Sequence, residues 1–151
     1  MLPERCIVSY VTAAQALDAD IHGFETVLEW QPRGEGVYVR TDRGEYYAER
    51  LVMTAGAWNS DLLDVLQGLA VPERQVVSWL QPLRPALFAP ALFPVFNVQV
   101  EEGRFYGFPV FGLPGFKFGK YRHRGEETAA DELDRGIHRA DEDLLRTFAR
   151  R

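Results

Sequence analysis

The chain has 151 residues, of which 46% are hydrophobic and 26% charged, and its formal net charge is −5. This composition is typical of a globular domain and excludes a disordered chain. The acidic balance argues against a surface that binds phosphate backbones, so we expect no nucleic acid partner. The single cysteine excludes an internal disulfide, and no apolar run approaches the ~20 residues of a membrane helix. The sequence therefore predicts a cytoplasmic protein that does not bind membranes.

The first part of the chain predicts one helix, three strands and a second, short helix. Apolar residues recur at helical spacing from Pro3 to about Leu17, and Cys6 is expected there as a buried structural thiol. A strand over 21–30 and a turn over 31–36 precede a hairpin, which pairs residues 37–39 with 46–48 around a turn at 42–44. The wholly apolar run 51–53 predicts a strand covered on both faces. A short helix is expected from about Asn59.

After Pro72 the sequence changes to short strands separated by proline-rich loops. Strands are predicted over residues 74–80, 95–100, 104–108 and 116–121, with a hairpin turn at 101–103. A final helix is expected near Asp141, with Leu144, Leu145 and Phe148 as its buried face. The predicted fold class is α+β, with a mostly antiparallel sheet and flanking helices. It is described as α/β-derived because the buried strand predicted at 51–53 indicates an α/β layer.

Most of the usual chemical motifs are missing from the sequence. It contains no glycine-rich phosphate loop and no G-x-S-x-G elbow. His22, His123 and His138 lack the spacing of metal ligands, so they are expected at the surface or in structural roles, and no metal is predicted. The glutamate pairs at 101–102 and 126–127 are predicted to lie in solvated turns.

Two segments are more informative. Small residues in Thr54–Trp58 follow the predicted buried strand and would let the backbone approach a ligand, although a tight strand-to-helix turn explains them equally well. The stretch from Gly103 to Tyr121 concentrates aromatic residues, glycines and Lys117, which predicts either the wall of a site or an unusually kinked sheet. On sequence alone, Lys117 is expected on the solvent face of an edge strand.

Several motifs resemble those of one enzyme family. They are the G-x-Y-x-A-x-x-L-V-x-T-A-G-A-W segment from Gly44, "ERQVV" from Glu73, "GRFYGFP" from Gly103, "GFKFG" from Gly115 and "LDRGIHRADEDLLRTF" from Leu133. In this order, they resemble the flavin-dependent amine oxidases of the monomeric sarcosine oxidase and N-methyltryptophan oxidase type, within the D-amino-acid-oxidase-like superfamily. The resemblance covers nearly the whole chain.

The resemblance implies an FAD-dependent enzyme that oxidises the C–N bond of a small amine or amino acid, with dioxygen as acceptor. Residues 1–71 would be part of the FAD-binding domain, and residues 72–151 a substrate-binding domain whose sheet roofs the flavin. The family's dinucleotide fingerprint would lie before this chain, and its flavin-tethering cysteine and substrate-carboxylate clamp after it. We therefore expect a truncated piece that is inactive alone, holds FAD weakly and self-associates through exposed apolar surface.

The resemblance also implies roles for individual residues. Tyr106, with a catalytic role, and Phe108 would line the substrate pocket, and Lys117 would be the catalytic cation that activates dioxygen. Tyr121 is a predicted substrate contact that replaces a histidine of the sarcosine-specific members, and His123 is expected on the same face. The predicted cofactor contacts are Val27, Thr54, Ala55, Gly56 and Trp58. The alternative is a non-catalytic binding module that keeps the sheet but lacks the cofactor.

Overall fold

The structure of the protein, a computed structural model, describes residues 2–150. The chain combines helices with antiparallel sheet, as predicted. It divides into two compact units, of which the first ends at Thr54 and the second begins at Ala55. No helix in the described range is long and apolar enough to cross a bilayer.

The first unit contains one helix and a three-stranded sheet. The elements are α1 (Pro3–Gln15), β1 (Val27–Arg33), β2 (Gly36–Thr41) and β3 (Glu45–Ala48), and the antiparallel strand order is β1-β2-β3. The predicted hairpin is confirmed, with Val39 opposite Tyr46. The first helix is confirmed, but the prediction of a buried Cys6 is wrong, because Cys6 is only half-buried and no residue of α1 is buried.

Three predictions in the first unit need correction. Phe24 adopts a left-handed φ of 57°, which a strand does not contain, so β1 begins only at Val27. β1 then includes Pro32, which is tolerated because β1 is an edge strand, and the turn shrinks to residues 34–35. The predicted strand at 51–53 is wrong, because neither sheet offers it a neighbour and Val52 is 82% exposed.

The second unit is built on a four-stranded antiparallel sheet. Its helices and strands are α2 (Asn59–Leu62), β4 (Val77–Leu80), β5 (Phe96–Val100), β6 (Gly103–Phe108), β7 (Phe116–Lys120) and α3 (Arg139–Ala149). The strand order is β4-β7-β6-β5. All four predicted strands, the turn before β6 and the final helix are therefore confirmed, with ends that shift by up to three residues.

The core lies on one face of this sheet, here called the core face, which α3 covers. Phe105 and Phe118 are fully buried on this face and contact Leu145 of α3. The Phe105 ring stacks on that of Phe148 with centroids 4.0 Å apart. Phe96 packs against the same cluster, and Gly107 makes room for its ring, since a Cβ at position 107 would lie 2.4 Å from it. The predicted buried face of the final helix is thus confirmed.

A polar cluster around Glu25 fastens the loop before β1 to the first sheet. Its carboxylate accepts hydrogen bonds from the Thr41 hydroxyl and from the Tyr46 hydroxyl at 2.6 Å, and His22 Nδ1 lies 2.8 Å from its second oxygen. These contacts lower the pKa of Glu25 from 4.5 to about 2, and the hydrogen bond from Thr41 makes the largest contribution. The contribution of this cluster to stability is therefore complete above pH 4.5 and is lost as the pH falls towards about 2.

We expect the titration of the Glu25 carboxyl carbon, followed by NMR, to have its midpoint near 2, the value to which its pKa is lowered. Thr41→Val removes the largest stabilising hydrogen bond and should raise this midpoint. A wild-type midpoint at the ordinary value for glutamate, about 4.3, would contradict the arrangement.

Candidate functional site

The face of the second sheet opposite the core face, here called the open face, gathers the predicted substrate residues. β6 and β7 are antiparallel neighbours in which Phe108 lies opposite Lys117 and Tyr106 lies opposite Gly119. Paired residues share a face, and so do residues two apart along a strand. The side chains of the open face include Val77, Trp79, Asn97, Gln99, Arg104, Tyr106, Phe108, Lys117 and Tyr121.

Aromatic rings dominate the middle of the open face. The Tyr106 ring centroid is 4.9 Å from that of Tyr121 and 6.1 Å from that of Phe108. Tyr106 can lie flat across β7 because Gly119 has no side chain, and a Cβ there would be 2.8 Å from the Tyr106 hydroxyl. Since Tyr121 and Phe108 remain about half exposed, the rings form an apolar surface that a flat ligand can cover.

Lys117 supplies one positive charge of this surface. β7 lies between β4 and β6, so Lys117 is on an interior strand and its assignment to an edge strand is wrong. Its Nζ is 5.5 Å from the Trp79 ring centroid, a cation–π contact. In residues 2–150 no carboxylate lies within ion-pair distance of this ammonium group. Its charge is therefore available to a ligand.

A second polar group lies at the other end of the open face. Arg104 Nε donates to Asn97 Oδ1 at 2.8 Å, and the Asn97 amide nitrogen donates to the Tyr121 hydroxyl at 3.1 Å. The Arg104 guanidinium carbon also lies 5.1 Å from the Tyr121 ring centroid. Asn97 thus fixes both side chains through one amide group.

His123 does not lie on the open face, so the expectation that it shares a face with Tyr121 is wrong. β7 ends at Lys120 and Arg122 has a left-handed φ of 52°, which turns the chain out of the strand. His123 is fully buried, with Nε2 2.9 Å from a carboxylate oxygen of Asp141 in α3. Its role is therefore structural, which is one of the two alternatives, surface or structural, that the sequence predicted for the histidines.

The buried ionic network beside His123 was not predicted from the sequence. Arg74, 6% exposed, donates to the two Asp141 oxygens at 3.1 and 2.9 Å and to Glu126 at 3.2 Å. The Arg74 guanidinium is the main reason that the pKa of Asp141 lies well below its usual range. Glu126 is therefore not simply a solvated turn residue. The one available signal was that Arg74 and Asp141 both fall within the family-like motifs from Glu73 and Leu133.

The five predicted cofactor contacts do not lie in one compact unit. Val27 and Thr54 belong to the first unit, whereas Ala55, Gly56 and Trp58 belong to the second. Gly56 has a φ of +57° and open space where a Cβ would lie, as expected of a residue that leaves its backbone accessible. The Trp58 indole N–H is already donated to Asp131 at 3.0 Å.

Comparisons with known proteins agree on one family. Residues 2–151 match the family described as DAO, FAD dependent oxidoreductase. The chain is 36% identical over 152 residues to a monomeric sarcosine oxidase of Bacillus sp. (strain NS-129), a match that covers 98% of this chain and 39% of the relative. It is 35% identical over 109 residues to an N-methyl-L-tryptophan oxidase of Escherichia coli O127:H6, covering 72% of this chain and 26% of that protein.

A solved structure has a similar fold. The open form of a mutant of NikD, an unusual amino acid oxidase essential for nikkomycin biosynthesis, aligns with a TM-score of 0.61 and 25% identity. The alignment covers 92% of this chain and 37% of that one. The chain thus spans about two fifths of the length of the sarcosine oxidases that it matches.

Proposed function

Because the chain belongs to the FAD dependent oxidoreductase family, we propose that it forms part of an oxidase that acts on the C–N bond of an amine or N-methyl amino acid. The observation that carries this proposal is the open face, where Lys117 lies opposite Phe108 and beside Trp79, and no carboxylate of residues 2–150 is within ion-pair distance of it. The relatives named as sarcosine and N-methyl-L-tryptophan oxidases support the choice of substrate class.

The residues of the open face fit the ring end of FAD. When bound in such an enzyme, this cofactor accepts the hydride that leaves the substrate carbon. Trp79, Tyr106 and Phe108 offer flat apolar surface to a conjugated ring, and Lys117 offers positive charge. The pyrophosphate end has no such match, because the 151 residues contain no G-x-G-x-x-G turn. Val27, Thr54, Ala55, Gly56 and Trp58 remain proposed cofactor contacts.

The roles of the side chains follow from their chemistry. Tyr106, Phe108 and Tyr121 shape the pocket and exclude water from the substrate. The ammonium group of Lys117 stabilises the negative charge that dioxygen acquires as it is reduced, because a fixed cation needs no reorganisation when the charge develops. In this proposal residues 72–151 are the substrate-binding domain and residues 1–71 part of the FAD-binding domain.

Titration of the purified chain with FAD tests the cofactor assignment. We expect the visible flavin spectrum to shift and the melting temperature to rise, because a ligand that binds only the folded state stabilises it. The alternative, a non-catalytic module, predicts that FAD changes neither. Trp79→Ala removes one ring from the open face and should reduce both the spectral shift and the rise in melting temperature that FAD causes. Trp58→Phe tests Trp58, one of the other proposed cofactor contacts, in the same way.

Replacement of Lys117 tests its role with dioxygen. In the flavin-loaded protein, reduced by light and then mixed with air, Lys117→Met should slow flavin reoxidation by about 100-fold or more. Lys120→Met is the matched control, because Lys120 lies on the same strand but opposite Phe105 of the core face. Equal reoxidation rates in wild type and Lys117→Met would contradict the proposed role.

A further inference from the structure

The hydrogen-bond directions in the Arg104, Asn97 and Tyr121 group reveal which donors are left over. An arginine Nε can only donate, so the Asn97 group 2.8 Å from it is the oxygen and the amide nitrogen faces Tyr121. That nitrogen donates, so the Tyr121 hydroxyl oxygen accepts and its own hydrogen remains available. Within residues 2–150, Arg104 likewise donates through Nε alone, so the N–H groups of its two outer nitrogens have no partner in that part of the chain.

We infer that Arg104 and Tyr121, held in place by Asn97, bind a carboxylate of the substrate. The available groups of Arg104 and Tyr121 are all hydrogen-bond donors, and the guanidinium group carries a full positive charge. The ligand that complements them is therefore an anion with two acceptor oxygens. The stacking of Arg104 against the Tyr121 ring further restricts the guanidinium group, which reduces the entropy lost on binding.

The position of this group defines the kind of substrate. Arg104 is four residues from Phe108 along β6, and Phe108 lies opposite Lys117 on the next strand. The backbone positions of the two cations are therefore about 14 Å apart on the sheet. A carboxylate bound at Arg104 is therefore remote from a reacting C–N bond near Lys117. The substrate is an amine that carries an acidic group several bonds from its nitrogen, and is longer than sarcosine. This assignment rests on the proposed function only in treating the bound acid as substrate.

Binding of glutarate to the isotope-labelled chain, followed by NMR, tests the site without FAD or turnover. We expect glutarate to shift the Arg104 Nε–H resonance, and glutaramide, its uncharged analogue of equal length, to leave it unchanged. Arg104→Gln should weaken glutarate binding by about tenfold or more, and Tyr121→Phe by about fivefold. Arg84→Gln is the matched control, since Arg84 is an exposed arginine outside the open-face set.

Asn97→Asp distinguishes this site from a general attraction of anions. The aspartate has the same shape but accepts from both Arg104 and Tyr121, so it neutralises the cation and occupies the hydroxyl hydrogen. We expect binding to fall by about tenfold while the dispersed NMR spectrum is retained. Undiminished binding to Arg104→Gln or Asn97→Asp, equal binding of glutaramide, or no binding of glutarate would overturn the inference. None of these results depends on FAD, so the proposed cofactor and reaction are judged separately.

Discussion

Replacing Asp141 with alanine is expected to lower the free energy of unfolding by about 3–5 kcal/mol, because one partner of a buried ion pair is removed. Asp141 is fully buried and accepts from Arg74 and His123, as well as from the backbone N–H of His138 at the start of α3. Its loss leaves the Arg74 guanidinium buried without its main counter-charge. Thermal unfolding should show a melting temperature about 10 °C lower or more.

Two further variants show whether the loss of stability comes from the buried ion pair or from any change in α3. Asp143→Ala, on the same helix, removes only an exposed contact to Arg139 at 3.6 Å and should change stability by less than about 0.5 kcal/mol. Combining Asp141→Leu with Arg74→Met should recover part of the loss, because apolar side chains can replace a buried pair. A melting temperature for Asp141→Ala equal to that of Asp143→Ala would contradict the importance of the network.

The effect of Asp141 should also depend on pH. Its pKa in the folded protein lies below that of an unfolded aspartate, about 3.9. The stabilisation is therefore complete above about pH 4 and is lost as the pH falls further, through the folded-state pKa. The difference in melting temperature between wild type and Asp141→Ala should shrink accordingly in acid.

Replacing Phe105 with alanine is expected to cost about 3–5 kcal/mol of stability, as for other fully buried aromatic residues. Its ring is completely covered and stacks on Phe148, so truncation leaves a cavity between β6 and α3. Phe108→Ala is the matched control, because the same residue type lies on the same strand but points to the open face, 42% exposed. We expect denaturant unfolding to show a loss below about 1 kcal/mol for Phe108→Ala. Equal losses would mean that α3 does not cover the core face.

The strands of the second unit could be predicted because their pattern is local. Alternating side chains in 104–108 specify which residues share a face, and the structure places Phe105 on the core face and Phe108 on the open face. The family-like motifs supplied the remaining expectations, including Lys117 and Tyr106. These roles stay proposals, whereas their location on one face is a property of the sheet register.

What could not be predicted depends on partners that are distant in sequence. Arg74 and Asp141 are 67 positions apart, and neither has a local feature that distinguishes it from a surface charge. The side chain of His123 is turned away from the open face by one residue in the left-handed conformation, Arg122, and no sequence pattern indicated that conformation. The apolar run 51–53 resembled a buried strand, but a strand also needs a neighbour to satisfy its backbone, and the described chain supplies none.

The contact between Arg74 and Asp141 also sets an order of events in folding. α3 has 11 residues, which is shorter than the about 12–15 that an isolated helix needs to be stable in water. Its first turn is fixed by an aspartate whose counter-charge lies 67 positions earlier in the chain, so the loop between them must close before the helix is secured. α3 should therefore form late, after β6 and β7 have paired through the short connection between them.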